Sequence, residues 1–322
     1  MATPQHVPVM LDRCVELLSP ALGDDAIAID GTLGLGGHAE ALLERCPELR
    51  LVGIDRDTDA LALASDRLAR FGDRFIAFHG TYDQISEALA RVGAERAHGV
   101  LLDLGVSSMQ LDEESRGFAY AHDAPLDMRM NAEDPTTAAE LVNGSSADEL
   151  RRIFSDYGEE RYSGRIAKAI VAARESAPLE RSEQLVDIIR GAIPAAARHA
   201  PGHPGKRVFQ ALRIAVNDEL GILERTLPNV LNNLAVGGRV VVMAYHSLED
   251  RAVKQAFAAG ATSQAPLGLP VIPADDRPYL THLTRGAERP SAEEITANPR
   301  SASVRLRAAK RIRDGRAGGG AA

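Results

Sequence analysis

The chain of 322 residues has no tryptophan and only two cysteines, Cys14 and Cys46. Two cysteines cannot build a disulfide framework or a four-cysteine zinc site. No cluster of His, Cys, Asp and Glu shows metal-ligand spacing, so no metal is expected. No apolar run approaches the ~20 residues of a membrane span. Met1 to Met10 lack the basic-then-apolar plan of a signal peptide, which leads to the expectation of a cytoplasmic protein. A surplus of positive charge is missing as well. With 37 basic and 45 acidic side chains the formal charge is −8, which excludes a uniformly basic binder of polyanions.

The charge that is present is uneven. Residues 1–148 carry a net −15 and residues 149–213 a net +4; residues 214–297 carry −3 and residues 298–322 carry +6. Short apolar runs punctuate the acidic part: Ala26–Asp30, Leu51–Asp55, Phe75–His79 and Gly99–Asp103. Strands that are apolar throughout, with amphipathic helical stretches between them, indicate a parallel sheet covered on both faces. Right-handed crossovers then make a doubly wound α/β fold the economical topology. After Gln110 no strand is evident for about 90 residues, and Ala147–Tyr157, Gly164–Arg174 and Ser182–Ile193 read as helices. The expected organisation is a discontinuous domain, 1–112 with 204–322, interrupted by a helical insert at 113–203. A long helix from Arg207 should kink or stop at Pro228. Gly237-Gly238 should turn the chain into a fifth strand, Arg239–Ala244. His282–Thr284 and Ser303–Arg307 are expected to pair, and Gly315–Ala322 has nothing to bury.

Asp30-Gly31-Thr32-Leu33-Gly34-Leu35-Gly36-Gly37-His38 lies between the first strand and a helix. Glycines there allow close approach of a ligand to the backbone. Asp55 ends the second strand, where a carboxylate can accept hydrogen bonds from ribose hydroxyls. A nucleoside-containing cofactor is therefore expected at the carboxyl edge of the sheet. The stretch Gly34-Leu35-Gly36-Gly37-His38-Ala39 approximates a dinucleotide fingerprint, which keeps a nicotinamide-dependent oxidoreductase as an alternative. Asp30 favours S-adenosylmethionine (AdoMet) instead, because a carboxylate suits a cationic ligand and repels a pyrophosphate. Tyr82 follows the third strand and could cover an adenine face. Asp103 follows the fourth, at the position from which amino-methyltransferases grip the amine.

Together these residues resemble the MraW (RsmH) family of ribosomal RNA small-subunit cytidine N4-methyltransferases. The similar stretches include His6–Met10, Asp30–His38, Asp103–Gln110, Arg116–Phe118, Pro125–Met130, Gly158–Arg161, Phe209–Ile214, His246–Arg251 and Asn298–Ser301. The resemblance implies a Rossmann-like class I AdoMet-dependent methyltransferase with an inserted helical domain for RNA recognition. It implies methylation of a cytidine in 16S ribosomal RNA of the small ribosomal subunit, at the decoding region. It carries cofactor positions onto Gly36, Gly37, His38, Asp55, Tyr82, Asp103 and Gln110, beside Asp30 and Gly34 from the loop. Two departures stand out: Tyr82 where phenylalanine is usual, and Met243-Ala244-Tyr245 where Ile-Ser-Phe is usual. A non-catalytic ribosome-assembly factor is a further alternative, though intact Asp30, Asp55 and Asp103 weigh against it.

Cytosine N4 is a poor nucleophile, so an acceptor for its N–H and an in-line methyl donor are required. Asp103 is the first candidate for that acceptor, with backbone carbonyls of Leu104–Ser107 as substitutes. His246 and Asp250 rank second. Methylation at C5 needs a thiolate, and neither cysteine lies at a strand's carboxyl end. Basic groups should track the RNA phosphates: Arg161, Arg165, Lys206, Arg207 and Arg213 in or beside the insert, and Arg300, Arg305 and Arg307 near the C-terminus. Arg151, Arg152, Lys168, Lys310 and Arg311 extend the two groups. The sequence leaves the oligomeric state open, a homodimer included.

Overall fold

The computed structural model describes residues 8–315 apart from 119, 121, 196–202, 264, 267–272 and 274–275. Most of the expected C-terminal tail, 316–322, lies outside the described residues. By contacts the chain divides into two compact units, 1–105 with 221–322, and 106–220. The second unit is wider at both ends than the 113–203 expected for the insert.

The first unit holds a seven-stranded sheet. Its strands are β1 (Ile27–Asp30), β2 (Arg50–Asp55), β3 (Phe75–His79), β4 (Ala97–Asp103), β5 (Leu234–Ala244), β6 (Leu280–His282) and β7 (Arg305–Arg311). The order is β3-β2-β1-β4-β5-β7-β6. The first five strands run parallel, and β7 is antiparallel to both β5 and β6. This is the Rossmann-like α/β class expected from the sequence. Alternation sorts the side chains onto two faces. Ile27, Ile29, Val100, Leu102, Val240 and Val242 join one core with Leu89, Leu227, Val253 and Phe257. Ala28, Leu101, Val241 and Met243 join the other with Leu18, Leu42, Leu43 and Leu68. Each large aliphatic side chain so buried stabilises the fold by about 1.5–3 kcal/mol. The second face is covered by α1 (Leu11–Leu18), α2 (Gly37–Arg45) and α3 (Thr58–Leu68), the first by α4 (Ile85–Arg91) and by later helices.

The second unit contains α5 (Ser108–Asp112), α6 (Ala138–Gly144), α7 (Ala147–Asp156), α8 (Ser163–Arg174), α9 (Ser182–Ala192) and α10 (Lys206–Asn217). Phe154, Ile166, Ile170, Leu185, Ile189 and Leu212 are fully buried at its centre. The helices α6 and α7 each start with a capping box, Thr137 with Glu140 and Ser146 with Glu149.

Three local expectations are corrected. The long helix breaks at Asp218, in the left-handed region with φ 49°, and not at Pro228, which sits inside α11 (Glu219–Asn233). The cause lies in Asn217. Its side chain accepts from Met130 N at 2.7 Å and donates to the carbonyls of Met128 and Arg213 at 2.8 Å each. Next, Gly237-Gly238 lies within β5 as an irregularity, where pairing with β4 jumps from Ala97↔Leu234 to Gly99↔Arg239. Finally, β6 and β7 do pair, but through Leu280↔Arg311 and His282↔Ala309, so the partners sit further from each other in sequence than expected.

Candidate active site

Sheet order assembles the site. With β1 lying between β2 and β4, the carboxylates of Asp30, Asp55 and Asp103 end three neighbouring strands. Gly31 N donates to Leu101 O at 2.9 Å, so the chain leaves β1 tight against β4. It then turns through Gly34 and Gly36, at φ 51° and 76°, where a side chain would be strained, and enters α2. Gly34 N donates to Asp55 Oδ2 at 2.7 Å, and Asp57 N donates to Oδ1 at 2.9 Å. Thr32 N donates to Asp30 Oδ1 at 3.2 Å, while Thr32 Oγ1 accepts from Asp103 N at 2.6 Å. The glycine loop is thereby held by the strand-end residues themselves.

These carboxylates sit in a poor medium for charge. Burial pushes Asp30 up to about 7; the Thr32 N–H opposes this, and the nearby Asp103 and Asp55 reinforce it. Burial also raises Asp55, against the hydrogen bonds from Asp57 and Gly34. A buried acidic cluster of this kind favours a cation over a phosphate. Tyr245 completes it from the end of β5. Its phenol donates to Asp103 Oδ1 at 2.8 Å, and burial, then Asp103, raise its pKa. Tyr245 as the partner of Asp103 was not read from the sequence, since 142 residues separate them.

Other expected positions have additional local roles. Tyr82 is half-buried and its Cβ packs close to Gly31, beside the loop. A side chain at Gly37 would run into Pro8, and His38 is buried with Nε2 3.0 Å from Val9 O. These two residues anchor the N-terminal segment on α2. Gln110 belongs to the second unit, where its Oε1 accepts from Ser107 N at 3.1 Å and its N donates to Ser107 Oγ, closing a capping box on α5. His246 is the N-cap of α12 (Ser247–Ala261), with Glu249 N 3.5 Å from Nδ1 and Glu249 Oε1 3.2 Å from Nε2. Glu249 in turn accepts from Tyr245 N at 2.8 Å and from His246 N at 3.2 Å. Both cysteines are buried, Cys14 in α1 with its thiol raised by burial, Cys46 just after α2.

The basic residues divide into two kinds. Arg161, Arg165, Lys206 and Arg300 are exposed. Arg207, also exposed, donates to Glu159 O at 3.0 Å. Arg213 is mostly buried and pairs with Glu219 at 2.8 Å. Arg305 and Arg307 converge on one carboxylate, Asp250, through Arg305 Nη1 at 3.1 Å and Arg307 Nε and Nη2 at 2.7 and 3.2 Å. Burial opposes the charge on Asp250, yet the two guanidiniums hold its pKa below the usual value. Arg311 is fully enclosed by backbone carbonyls, which removes it from any RNA surface. Among the described residues, no three His, Cys, Asp or Glu could hold a metal, and no helix is long and apolar enough to cross a membrane.

A cleft of 240 Å³ opens beside this cluster, between Tyr245, His246, Ser247, Arg289, Ser303 and Arg305. Neither the cleft nor Arg289 was anticipated, because the segments that form it are brought together only by β7.

The donor set fits AdoMet: carboxylates for an ammonium and for ribose hydroxyls, a loop that only glycine traces easily, and Tyr82 next to Gly31. A ribosomal RNA small subunit methyltransferase H of Beutenbergia cavernae is 59% identical over 309 residues, covering 96% of this chain and 93% of that one. Its counterpart in Streptomyces avermitilis is 56% identical over 315 residues, 98% and 99% of the two chains. Among solved structures, an rRNA methylase from Streptococcus thermophilus aligns at TM-score 0.41 and 12% identity over 94% of each chain. The model of the MraW methylase family matches residues 3–312, and the chain belongs to that family of methyltransferases.

Proposed function

We propose that this protein methylates N4 of a cytidine in 16S ribosomal RNA, using AdoMet. The observation that carries the reading is the trio Asp30, Asp55 and Asp103 on adjacent strand ends, in a chain 54–59% identical to small-subunit rRNA methyltransferases. The nicotinamide-oxidoreductase and assembly-factor alternatives gain no support from this family membership.

When bound, AdoMet supplies an electrophilic methyl on a positively charged sulfur. Asp55 accepts the ribose hydroxyls, with Gly34 N and Asp57 N fixing its carboxylate. Asp30 faces the cationic end of the ligand, and Tyr82 covers the base. Gly36 lets the loop turn, and Gly37 and His38 act by anchoring Pro8 and Val9. Gln110 acts by shaping the loop after Asp103. Asp103 accepts an N–H of the target amine, which localises the nitrogen lone pair toward the methyl group. His246 builds the wall beside it as a helix cap. The base must leave its stack to reach these groups, which costs less in single-stranded RNA. Exposed Arg161, Arg165, Lys206, Arg207 and Arg300 meet RNA phosphates, and Arg213 and Arg307 support them from ion pairs. Such a substrate supports a cytoplasmic protein that works on the small ribosomal subunit.

Nucleoside mass spectrometry of ribosomal RNA from a deletion strain tests this. Loss of N4-methylcytidine species, restored by the wild-type gene, is expected; an unchanged nucleoside profile refutes it.

A further inference from the structure

The cleft at the end of β5 is built around cations that the fold forces together. Glu288 and Leu306 form an antiparallel bridge, each N–H donating to the other's carbonyl at 2.9 Å. Antiparallel pairing sets the next residue, Arg289, opposite Arg305, and both arginines line the cleft. Like charges directly opposite each other are destabilising. The acids nearby do not balance them. Asp250 serves Arg305 and Arg307 at once. Glu288 is taken by Arg13 through two contacts of 2.8 Å. Glu249 is buried and turned to the backbone N–H groups of Tyr245 and His246. Among the described residues no Asp or Glu lines the cleft, while Ser247 at the start of α12 and Ser303 do.

We propose that this cleft is a subsite for one phosphodiester of the RNA strand, held between Arg289 and Arg305. The assignment rests on the reading of the protein as an RNA methyltransferase. A phosphodiester offers one negative charge over two oxygens, which matches two guanidinium forks. Its place in the molecule also suits a substrate strand. Tyr245 is at once a wall of the cleft and the donor to Asp103, so the cleft begins one side chain from the carboxylate that receives the base. A nucleotide whose base enters toward Asp103 carries its backbone past that wall. Anchoring one phosphate there fixes the strand's register at the reacting nucleotide.

The test uses the full-length protein and a single-stranded RNA oligonucleotide containing the target cytidine, with binding followed by fluorescence anisotropy across a salt series. Arg289→Ala should weaken binding about tenfold near 0.1 M salt and reduce the salt slope by about 0.7, the value for one phosphate on a single strand. Arg289→Lys should restore the slope, the AdoMet Kd of both variants should match the wild type, and neither variant should have a lower Tm, with Arg289→Ala gaining slightly from the relieved repulsion. Oligonucleotides with single methylphosphonates supply the second measurement. One position near the cytidine should weaken wild-type binding as much as Arg289→Ala does, and should weaken the variant no further. A wild-type Kd and slope for Arg289→Ala, or methylphosphonate losses that add to it at every position, would overturn the subsite. Failure of the wild-type protein to methylate RNA under any condition would instead overturn the functional reading beneath it.

Discussion

Replacing Asp30 by asparagine should separate stability from function at a single atom pair. Asp30 is buried, and its pKa rises from 3.8 to about 7. For an acid with a raised pKa, the folded state binds the proton more tightly than the unfolded chain does. Stability is therefore greatest below pH 3.8 and falls as pH rises to about 7, above which it levels off. At ~1.4 kcal/mol per unit, the ionised carboxylate costs the folded protein up to about 4 kcal/mol. Asparagine keeps an oxygen for the Thr32 N–H without the charge. Asp30→Asn should thus stabilise the free protein, and by about 2–3 kcal/mol more at pH 8 than at pH 5. Thermal unfolding at the two pH values reads this as a Tm gain several degrees larger at pH 8. AdoMet reverses the order: its cation stabilises ionised Asp30, so the wild type should gain Tm on adding ligand and the variant little or none. A Tm difference equal at both pH values would refute the burial argument. A variant that binds AdoMet as the wild type does would refute the assignment of Asp30 to the cation.

Asp55→Ala should weaken AdoMet binding by about tenfold or more in calorimetry, since it removes an acceptor whose geometry two backbone N–H groups fix; an unchanged Kd would take Asp55 out of the ribose site. Asp103→Ala should lower kcat by at least about 100-fold, and near-normal turnover would end its role as acceptor. Asp250→Asn should destabilise the protein by about 3 kcal/mol, because Arg307 and part of Arg305 stay behind in a largely buried place without their counter-charge. The pKa of Asp250 is lowered, so its contribution is present at neutral pH and fades as pH falls below the ordinary carboxylate range. Matching Tm values for wild type and Asp250→Asn at pH 7 would contradict this.

The strand-end carboxylates were legible because each closes an apolar run, and a run buried on both faces can expose a carboxylate only where it ends. The order of the strands was not legible, yet it is what makes Asp30, Asp55 and Asp103 neighbours. Pairings across long separations were hidden for the same reason: Tyr245 with Asp103, Asp250 with Arg305 and Arg307, Arg289 with Arg305. The first depends on β4 lying beside β5, the second on β5 lying beside β7, and the third on the bridge between Glu288 and Leu306. The alternation of Arg305 and Arg307 with Val304 and Leu306 was visible, but not that an acid from α12 would be waiting on that face. The helix break at Asp218 was misplaced because a proline is a local signal, whereas the bonds of Asn217 to Met128 and Met130 are tertiary.

The lopsided charge has a structural account that goes beyond ligand and substrate. Acids of the first half close helix N-termini, as Asp57, Glu140 and Glu149 do. Arginines close the other ends. Arg74 donates to Leu43 and Cys46 carbonyls at 3.1 and 3.2 Å at the end of α2. Arg174 does so for Val142 and Ser145 at the end of α6, Arg239 for Leu17 in α1, and Arg311 for Asn232 in α11. Each places a cation where carbonyls lack an intrahelical partner and the helix dipole is negative. A guanidinium held this way is not available to a phosphate. The RNA surface is consequently smaller than the count of basic residues suggests, and its members are those whose partners leave positive charge uncompensated. By that criterion Arg289, for which the nearby acids are already engaged, outranks arginines such as Arg213 that hold a carboxylate of their own. It follows that charge removal at Arg289 should alter RNA affinity more than the same change at Arg207, whose guanidinium already donates to Glu159 O. Equal losses in the two variants at one salt concentration would show that count, and not compensation, governs the interface.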